Sequence, residues 1–110
     1  MNKILAKKPF FLYHMLVRSM KGFDDMKVWA ALHKNNKVLA RAKSESSLTD
    51  ASEALMDCLE QIYKELDIAE PVWVKKHATE LSRYHRVKFL PDDFLEPVPF
   101  DYMEIEFTMN

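Results

Sequence analysis

Four histidines offer imidazole nitrogens for metal binding or proton transfer, and their spacing limits what they can do. His77 and His85 are eight residues apart, which is about 12 Å along a continuous helix. Helical metal ligands normally recur four residues apart, so this pair does not suit one ion. His77 and Glu80 have a helical spacing, but no third ligand accompanies them. We therefore predict structural roles for these histidines and no bound metal.

The single cysteine is the only thiol that could act as a nucleophile. Cys58 lies in a run of apolar residues spaced three and four apart, which predicts a buried thiol with a raised pKa. The chain has no G-x-S-x-G motif, and Gly22 is its only glycine, so a glycine-rich phosphate loop cannot form. These features argue against several common enzyme classes. We predict no catalytic residue and no cofactor.

Carboxylates cluster near the C-terminus, at Asp92, Asp93, Glu96 and Asp101. Paired acids can transfer protons or hold a divalent cation. Asp after Pro91 is also ordinary in turns and at helix starts, and this interpretation is favoured. An enzyme that uses His77 or the Asp92–Asp93 region is an alternative, and it requires a concave pocket that holds these groups together.

Charge is unevenly distributed along the chain, although the net charge is only −1. Residues 1–43 hold ten Lys and Arg against two acids, whereas the remaining residues hold six against fifteen. The simpler interpretation is that the two halves neutralise each other across the fold or across a dimer interface. The alternative is a basic surface that binds nucleic acid or a protein partner, with an aromatic ring stacked on bases. Its candidate contacts are Lys34, Lys37, Arg41, Lys43, Trp73, Lys75, Lys76, His77, Arg83, Arg86 and Lys88.

A β-hairpin is predicted over residues 26–43. Asn35-Asn36 suits a two-residue type I′ turn because Asn tolerates positive φ. A simple two-residue loop then pairs Leu32 with Leu39. One face of the hairpin would carry one large ring among small side chains, and we expect a helix to pack there: Trp29, Ala31, Val38, Ala40 and Ala42.

Two helices and two strands are predicted after the hairpin. The first helix spans about residues 50–66, with Asp50-x-x-Glu53 as a capping box and an apolar stripe along one side. That stripe consists of Ala51, Ala54, Leu55, Cys58, Leu59, Ile62 and Leu66. The second helix spans about 73–84, and strands follow at 86–90 and 101–108. This order predicts an α+β fold, with a small antiparallel sheet and both helices on one face.

The N-terminal region suits more than one structure. Residues 9–21 are predicted as helix or strand, because Pro9 and Gly22 bracket a helix whereas the run from Phe10 to Tyr13 suits a strand. In both cases the segment is apolar on most sides. We predict one domain over residues 1–110, with 1–25 as an N-terminal extension that packs on the core or on a partner.

The N-terminal residues do not read as a signal peptide or a membrane anchor. His14 interrupts the apolar run, no small-residue cleavage site follows, and the run is far shorter than the roughly 20 residues that cross a bilayer. A single unpaired cysteine in a small chain is typical of a reducing compartment. We therefore predict a cytoplasmic protein that does not contact membranes.

Three runs of the C-terminal half carry a resemblance: Pro71-Val72-Trp73-Val74-Lys75-Lys76-His77, Phe89-Leu90-Pro91-Asp92-Asp93-Phe94-Leu95-Glu96 and Phe100-Asp101-Tyr102-Met103-Glu104-Ile105-Glu106. With the preceding hairpin and helix, they resemble a family of small uncharacterised bacterial proteins, mainly from Gram-positive anaerobes, that has no assigned activity. The resemblance covers roughly residues 26–108. It implies a bacterial, cytoplasmic protein and transfers no functional residue.

The absence of a catalytic constellation leaves interaction with another macromolecule as the leading hypothesis. We predict a non-enzymatic interaction or accessory module that associates with itself, as a homodimer, or with another protein. The alternative is a nucleic-acid-binding protein that uses the basic hairpin and the segment 75–88.

Overall fold

The residues that the structure describes form a four-stranded antiparallel sheet with two helices on one face, and the predicted α+β class is confirmed. The computed structural model describes residues 26–47 and 51–109. The elements are strands β1 (Met26–Lys34), β2 (Lys37–Ser46), β3 (Arg86–Phe89) and β4 (Tyr102–Met109), helices α1 (Ala51–Leu66) and α2 (Lys75–Tyr84), and a 3₁₀ turn over Pro91–Asp93. The segment 9–21 and the capping-box residue Asp50 lie outside the described residues.

The strands lie in the order β2-β1-β4-β3, so β4 inserts between the hairpin and β3. Every neighbouring pair is antiparallel. The two edge strands are therefore β2 and β3, and they lie on opposite sides of the sheet. Within the described ranges, no helix is long and apolar enough to cross a membrane.

The hairpin turn has the predicted geometry. Asn35 and Asn36 both have positive φ, 53° and 64°, as a type I′ turn requires, and Lys34 pairs with Lys37 beside it. The backbone N–H of Asn35 donates to Oδ2 of Asp101 at 2.8 Å, and the N–H of Asp101 donates to the carbonyl of His33 at 2.8 Å. The turn is thereby tied to the start of β4.

A bulge next to this turn overturns the predicted pairing of the hairpin. The register shifts between Leu32 and His33, so Leu32 pairs with Ala40 instead of Leu39. A one-residue slip turns each side chain to the other face of its strand. The face of β1 that packs under the helices therefore carries Met26, Val28, Ala30 and Leu32. The predicted helix-side positions of Trp29, Ala31 and Val38 are wrong, whereas Ala40 and Ala42 of β2 lie on the helix side as predicted.

Burial of apolar surface explains which face of β1 packs under the helices. The helix-facing set of β1 is entirely apolar and is at most 5% exposed. The opposite set includes Lys27 and His33, whose polar groups would lose water in the core at a cost of a few kcal/mol each. The bulge allows β1 to bury its apolar set while β2 keeps Ala42 on the same side.

The core lies between this face and the helices. Five residues of the predicted α1 stripe are buried: Ala54, Leu55, Cys58, Leu59 and Ile62. Leu66 is partly buried against them, and α2 adds His77, Ala78 and Leu81. The sheet contributes alternate residues of its central and edge strands, including Val87, Phe89, Met103, Ile105 and Phe107. Helix α1 packs on β2 and β1, whereas α2 packs on β3.

The positive φ angles of the turn lead to a first prediction. Replacing Asn36 by Gly should raise the free energy of unfolding by about 0.5 kcal/mol, because Gly adopts φ > 0 without strain. This gain should exceed the loss that comes from the greater conformational freedom of Gly in the unfolded chain. Asn36→Ala should lower it by about 1 kcal/mol, since a Cβ opposes the left-handed region. Urea unfolding measures both changes. Equal stability of the Gly and Ala variants would show that the turn does not constrain the hairpin.

Candidate functional site

Cys58 lies in the core, as the sequence predicts. Its side chain is fully buried, and burial raises the pKa of the thiol above its ordinary value. The hydroxyl of Ser44 donates to the carbonyl of Cys58 at 2.9 Å and ties α1 to β2. A buried, protonated thiol is a poor nucleophile, so Cys58 acts as a small apolar residue of the core.

His77 is also fully buried, on the first turn of α2. Its Nδ1 accepts the backbone N–H of Val74 at 3.0 Å, which places the proton of the neutral ring on Nε2. Nε2 lies 3.3 Å from Oδ2 of Asp93 but is not aligned for a hydrogen bond, and it has no such partner among the described residues. The same Oδ2 accepts the N–H of Leu90 at 2.8 Å.

This geometry does not favour catalysis by His77. The structure brings His77 and Asp93 together, but the imidazole is out of contact with solvent and its only lone pair is committed to the helix start. A general base needs an accessible lone pair within reach of the substrate. In the described ranges, no three His, Cys, Asp or Glu side chains come close enough to hold a metal ion.

Trp73 packs beside His77 in the core, so its prediction as a surface contact is wrong. Its ring is 6% exposed, its Nε1 donates to Oη of Tyr63 at 3.3 Å, and it meets Phe89 edge to face at 4.8 Å. A buried ring cannot stack on a base. Trp73 and His77 therefore stabilise the core, and neither offers its side chain to a partner.

The nine basic residues of the predicted contact set are all exposed, but the fold divides them. Lys34 and Lys37 flank the hairpin turn, and Arg41 and Lys43 follow on β2. The other five lie on α2 and β3: Lys75, Lys76, Arg83, Arg86 and Lys88. Strands β2 and β3 are opposite edges, about 14 Å apart at ordinary strand spacing.

Carboxylates lie between these two basic groups. Glu104 and Glu106 of β4 point to the same face as Arg41 and Lys43, and Arg86 lies 4.0 Å from Glu104. A nucleic-acid backbone that crossed the face would therefore meet negative charge at its centre. Because phosphate binding depends on continuous positive potential, this arrangement gives less support to the nucleic-acid alternative.

The face of the sheet that no described helix covers is the candidate site, and we call it the open face. It consists of the outward residues of the four strands. Its first row across the sheet is Lys43, Trp29, Glu106 and Arg86, and its second row is Arg41, Ala31, Glu104 and Lys88. Within these two rows, β2 and β3 each carry a basic column, β4 carries an acidic column and β1 carries an apolar column. Outside the two rows the open face continues with Lys27 and His33 of β1 and with Glu45 of β2, which lies 3.5 Å from Lys43.

Aromatic rings of the open face are held by their neighbours. Nζ of Lys43 lies 5.8 Å from the centre of the Trp29 ring, which is 36% exposed. Tyr102 stacks on His33 at 4.5 Å, and Nζ of Lys88 lies 4.4 Å above it. A cation over an exposed ring is attracted to the face of the ring by about 0.5–1 kcal/mol. These contacts therefore favour the observed orientation of the two rings.

A shallow concavity of about 700 Å³ runs along the apolar column of β1. Its lining includes Trp29, Ala31, Arg41, Lys43, Glu104 and Glu106. The small side chain of Ala31 beside the large ring of Trp29 produces the depression. Sequence reasoning missed this site because it placed Trp29 and Ala31 under a helix; the polar alternation of β4 was the signal that one face is open.

No protein-family model, curated protein or solved structure matches the chain. The resemblance to small bacterial proteins therefore stays a prediction.

The buried thiol predicts a pH dependence of stability. Because the folded state holds the thiol proton to higher pH than the unfolded state, this group lowers the free energy of unfolding as pH rises above 9.0, the ordinary pKa of the thiol. The stability difference between the wild type and Cys58→Ala should be constant below that pH and shrink above it. Urea unfolding across this range measures it, and a constant difference throughout would contradict the burial of the thiol.

The contacts of His77 predict a second effect on stability. His77→Ala should lower the free energy of unfolding by about 3 kcal/mol, since it leaves a cavity beside Phe89 and an unpaired N–H at Val74. His77→Phe keeps the packing volume and should cost only about 1 kcal/mol. If both variants lose equal stability in urea unfolding, packing of the ring is not the main contribution.

Proposed function

We propose that the protein is a non-enzymatic interaction module that associates with itself through the open face of its sheet. The observation that carries the proposal is the self-complementary arrangement of charge on that face. A basic column on β2 and an acidic column on β4 lie on either side of the apolar column of β1, one strand away in each direction.

Two-fold symmetry makes these columns complementary. When a second copy is turned by 180° about an axis along β1, its β2 lies over β4 of the first copy. Lys43 then faces Glu106 of the other copy, and Arg41 faces Glu104, and each pair occurs twice. Trp29 and Ala31 meet their counterparts at the axis. Aligned packing of two sheets tolerates such an arrangement with a rotation of about 30°.

The size of the face sets the strength of this association. Three strands of eight to ten residues and a fourth of four residues give an area of at most roughly 20 Å by 25 Å, which is below the ~800 Å² that each partner buries in a stable complex. Exposed ion pairs add little, about 0–1 kcal/mol each. We therefore expect a weak, reversible dimer, held mainly by desolvation of Trp29 and given its orientation by the charges.

The orientation predicts a charge-swap result. Glu106→Lys should weaken the dimer about tenfold, because two lysines then face each other at both sites. The double variant Lys43→Glu/Glu106→Lys restores opposite charges and should recover most of the affinity. Lys76→Glu, on the exposed side of α2, alters net charge away from the face and serves as the control.

Sedimentation equilibrium over a range of concentrations measures these affinities. The wild type should show reversible dimerisation with a dissociation constant on the order of 100 µM. A wild type that stays monomeric at about 1 mM would remove self-association. A double variant no better than Glu106→Lys would reject the two-fold arrangement even if a dimer forms.

A further inference from the structure

A groove of about 470 Å³ runs along the outer edge of β3, away from the centre of the open face. It is lined by Glu80 and Tyr84 of α2, by Arg86, Val87 and Lys88 of β3, and by Glu104 of β4. The lining combines Glu80, Tyr84 and Val87 from the helix side of the sheet with Arg86, Lys88 and Glu104 of the open face, so two acidic and two basic side chains border the groove. The groove therefore follows the edge itself, where a further strand would lie; in the described ranges β3 is the last strand of the sheet.

The backbone of β3 presents hydrogen-bonding groups to this groove. The N–H of Phe107 donates to the carbonyl of His85 at 3.1 Å, which makes these two residues a hydrogen-bonded pair of the ladder. In an antiparallel ladder such pairs alternate along the strand. Val87 and Phe89 thus direct their backbone groups to β4, and Arg86 and Lys88 direct theirs outwards, into the groove.

Charged and aromatic side chains lie on either side of the exposed backbone of β3. Arg86 and Lys88 project from the edge on the open face, and Tyr84 of α2, which is 64% exposed, borders the groove on the other side of the sheet. A strand added beside β3 would alternate between these two environments, since successive side chains point to opposite faces.

We propose that this groove binds an acidic peptide in extended conformation, which adds a fifth strand to the sheet beside β3. Main-chain hydrogen bonds to Arg86 and Lys88 supply affinity, and their cationic side chains select acidic residues at alternate positions. The intervening positions of the peptide lie against Tyr84 and favour apolar side chains. The proposal does not require self-association, and the groove shares Glu104 with the proposed dimer interface.

Charge distinguishes this occupant from the chain's own segments. The other edge strand, β2, carries Lys37, Arg41 and Lys43 against a single acid, and a second copy of β3 would oppose Arg86 and Lys88 with themselves. Residues 1–25 contain five Lys and Arg but two acids. Like charges directly opposite each other destabilise a strand pair. An acidic peptide from another protein is the complementary partner.

The length of the site defines the probe. The left-handed residue His85, with φ of 60°, precedes β3, and Pro91 follows it closely, so four or five peptide residues can pair. The probe is a fluorescein-labelled peptide of about seven alternating Glu and Val residues, which covers this length. Fluorescence anisotropy with the full chain at low ionic strength should show saturable binding.

Two further peptides separate strand addition from simple charge attraction. An alternating Lys and Val peptide should not bind. In an antiparallel arrangement the Glu residues directly opposite Arg86 and Lys88 exchange main-chain hydrogen bonds with them. The Glu and Val peptide with N-methylated Glu residues therefore keeps its charge but loses these N–H donors, and we expect its affinity to fall at least about tenfold. Equal binding of the methylated peptide would overturn the proposal, as would binding of the Lys peptide or no binding of the acidic one.

Variants of the protein locate the site. Arg86→Glu/Lys88→Glu should weaken binding about tenfold or more. The matched control Lys34→Glu/Lys37→Glu changes net charge equally at the hairpin turn and should bind like the wild type; an equal loss in both would reject the groove as the site. Trp29→Glu, which alters only the open face, should keep peptide binding, so failure of self-association and failure of this proposal are distinguishable.

Discussion

The buried imidazole of His77 joins three parts of the protein that are separate in sequence. Its ring packs on Phe89 of β3 with ring centres 4.4 Å apart, its Nδ1 caps the start of α2, and its Nε2 lies against Asp93. The N–H of Val72 donates to the carbonyl of Asp93 at 2.7 Å and holds the segment before α2 beside the turn after β3. Both the placement of α2 along β3 and the groove between them depend on these contacts.

The bulge in the hairpin has a comparable influence on the other side of the sheet. A single extra residue, Leu39, lets β1 bury its apolar set and turns Trp29 outwards beside Lys43. A flat two-residue hairpin would have placed the same ring under α1. The open face therefore exists because the apolar set of β1 gains more from burial than the bulge costs in ladder hydrogen bonds. Its charge pattern follows from the register with β4.

The sequence predicted the local elements well and the surface poorly. The turn at Asn35 and Asn36, the buried stripe of α1 and the raised pKa of Cys58 are all confirmed. Each depends on residues within a few positions of one another. As contacts in the nucleic-acid alternative, Trp73 and His77 would have to lie on the surface, but both are buried, and His77 has the structural role that was predicted for it. Their burial depends on Tyr63, Phe89 and Asp93, which pair with them only after the chain has folded.

The sequence by itself determined which segments form helices and strands, because the repeats of apolar residues and the turn residues act between neighbours along the chain. Only the tertiary structure decided which face of β1 is covered, how far apart the basic residues of β2 and β3 lie, and which edge carries a groove. These properties depend on strand order and register. A shift of one residue reverses the facing of a strand, and composition does not encode that shift.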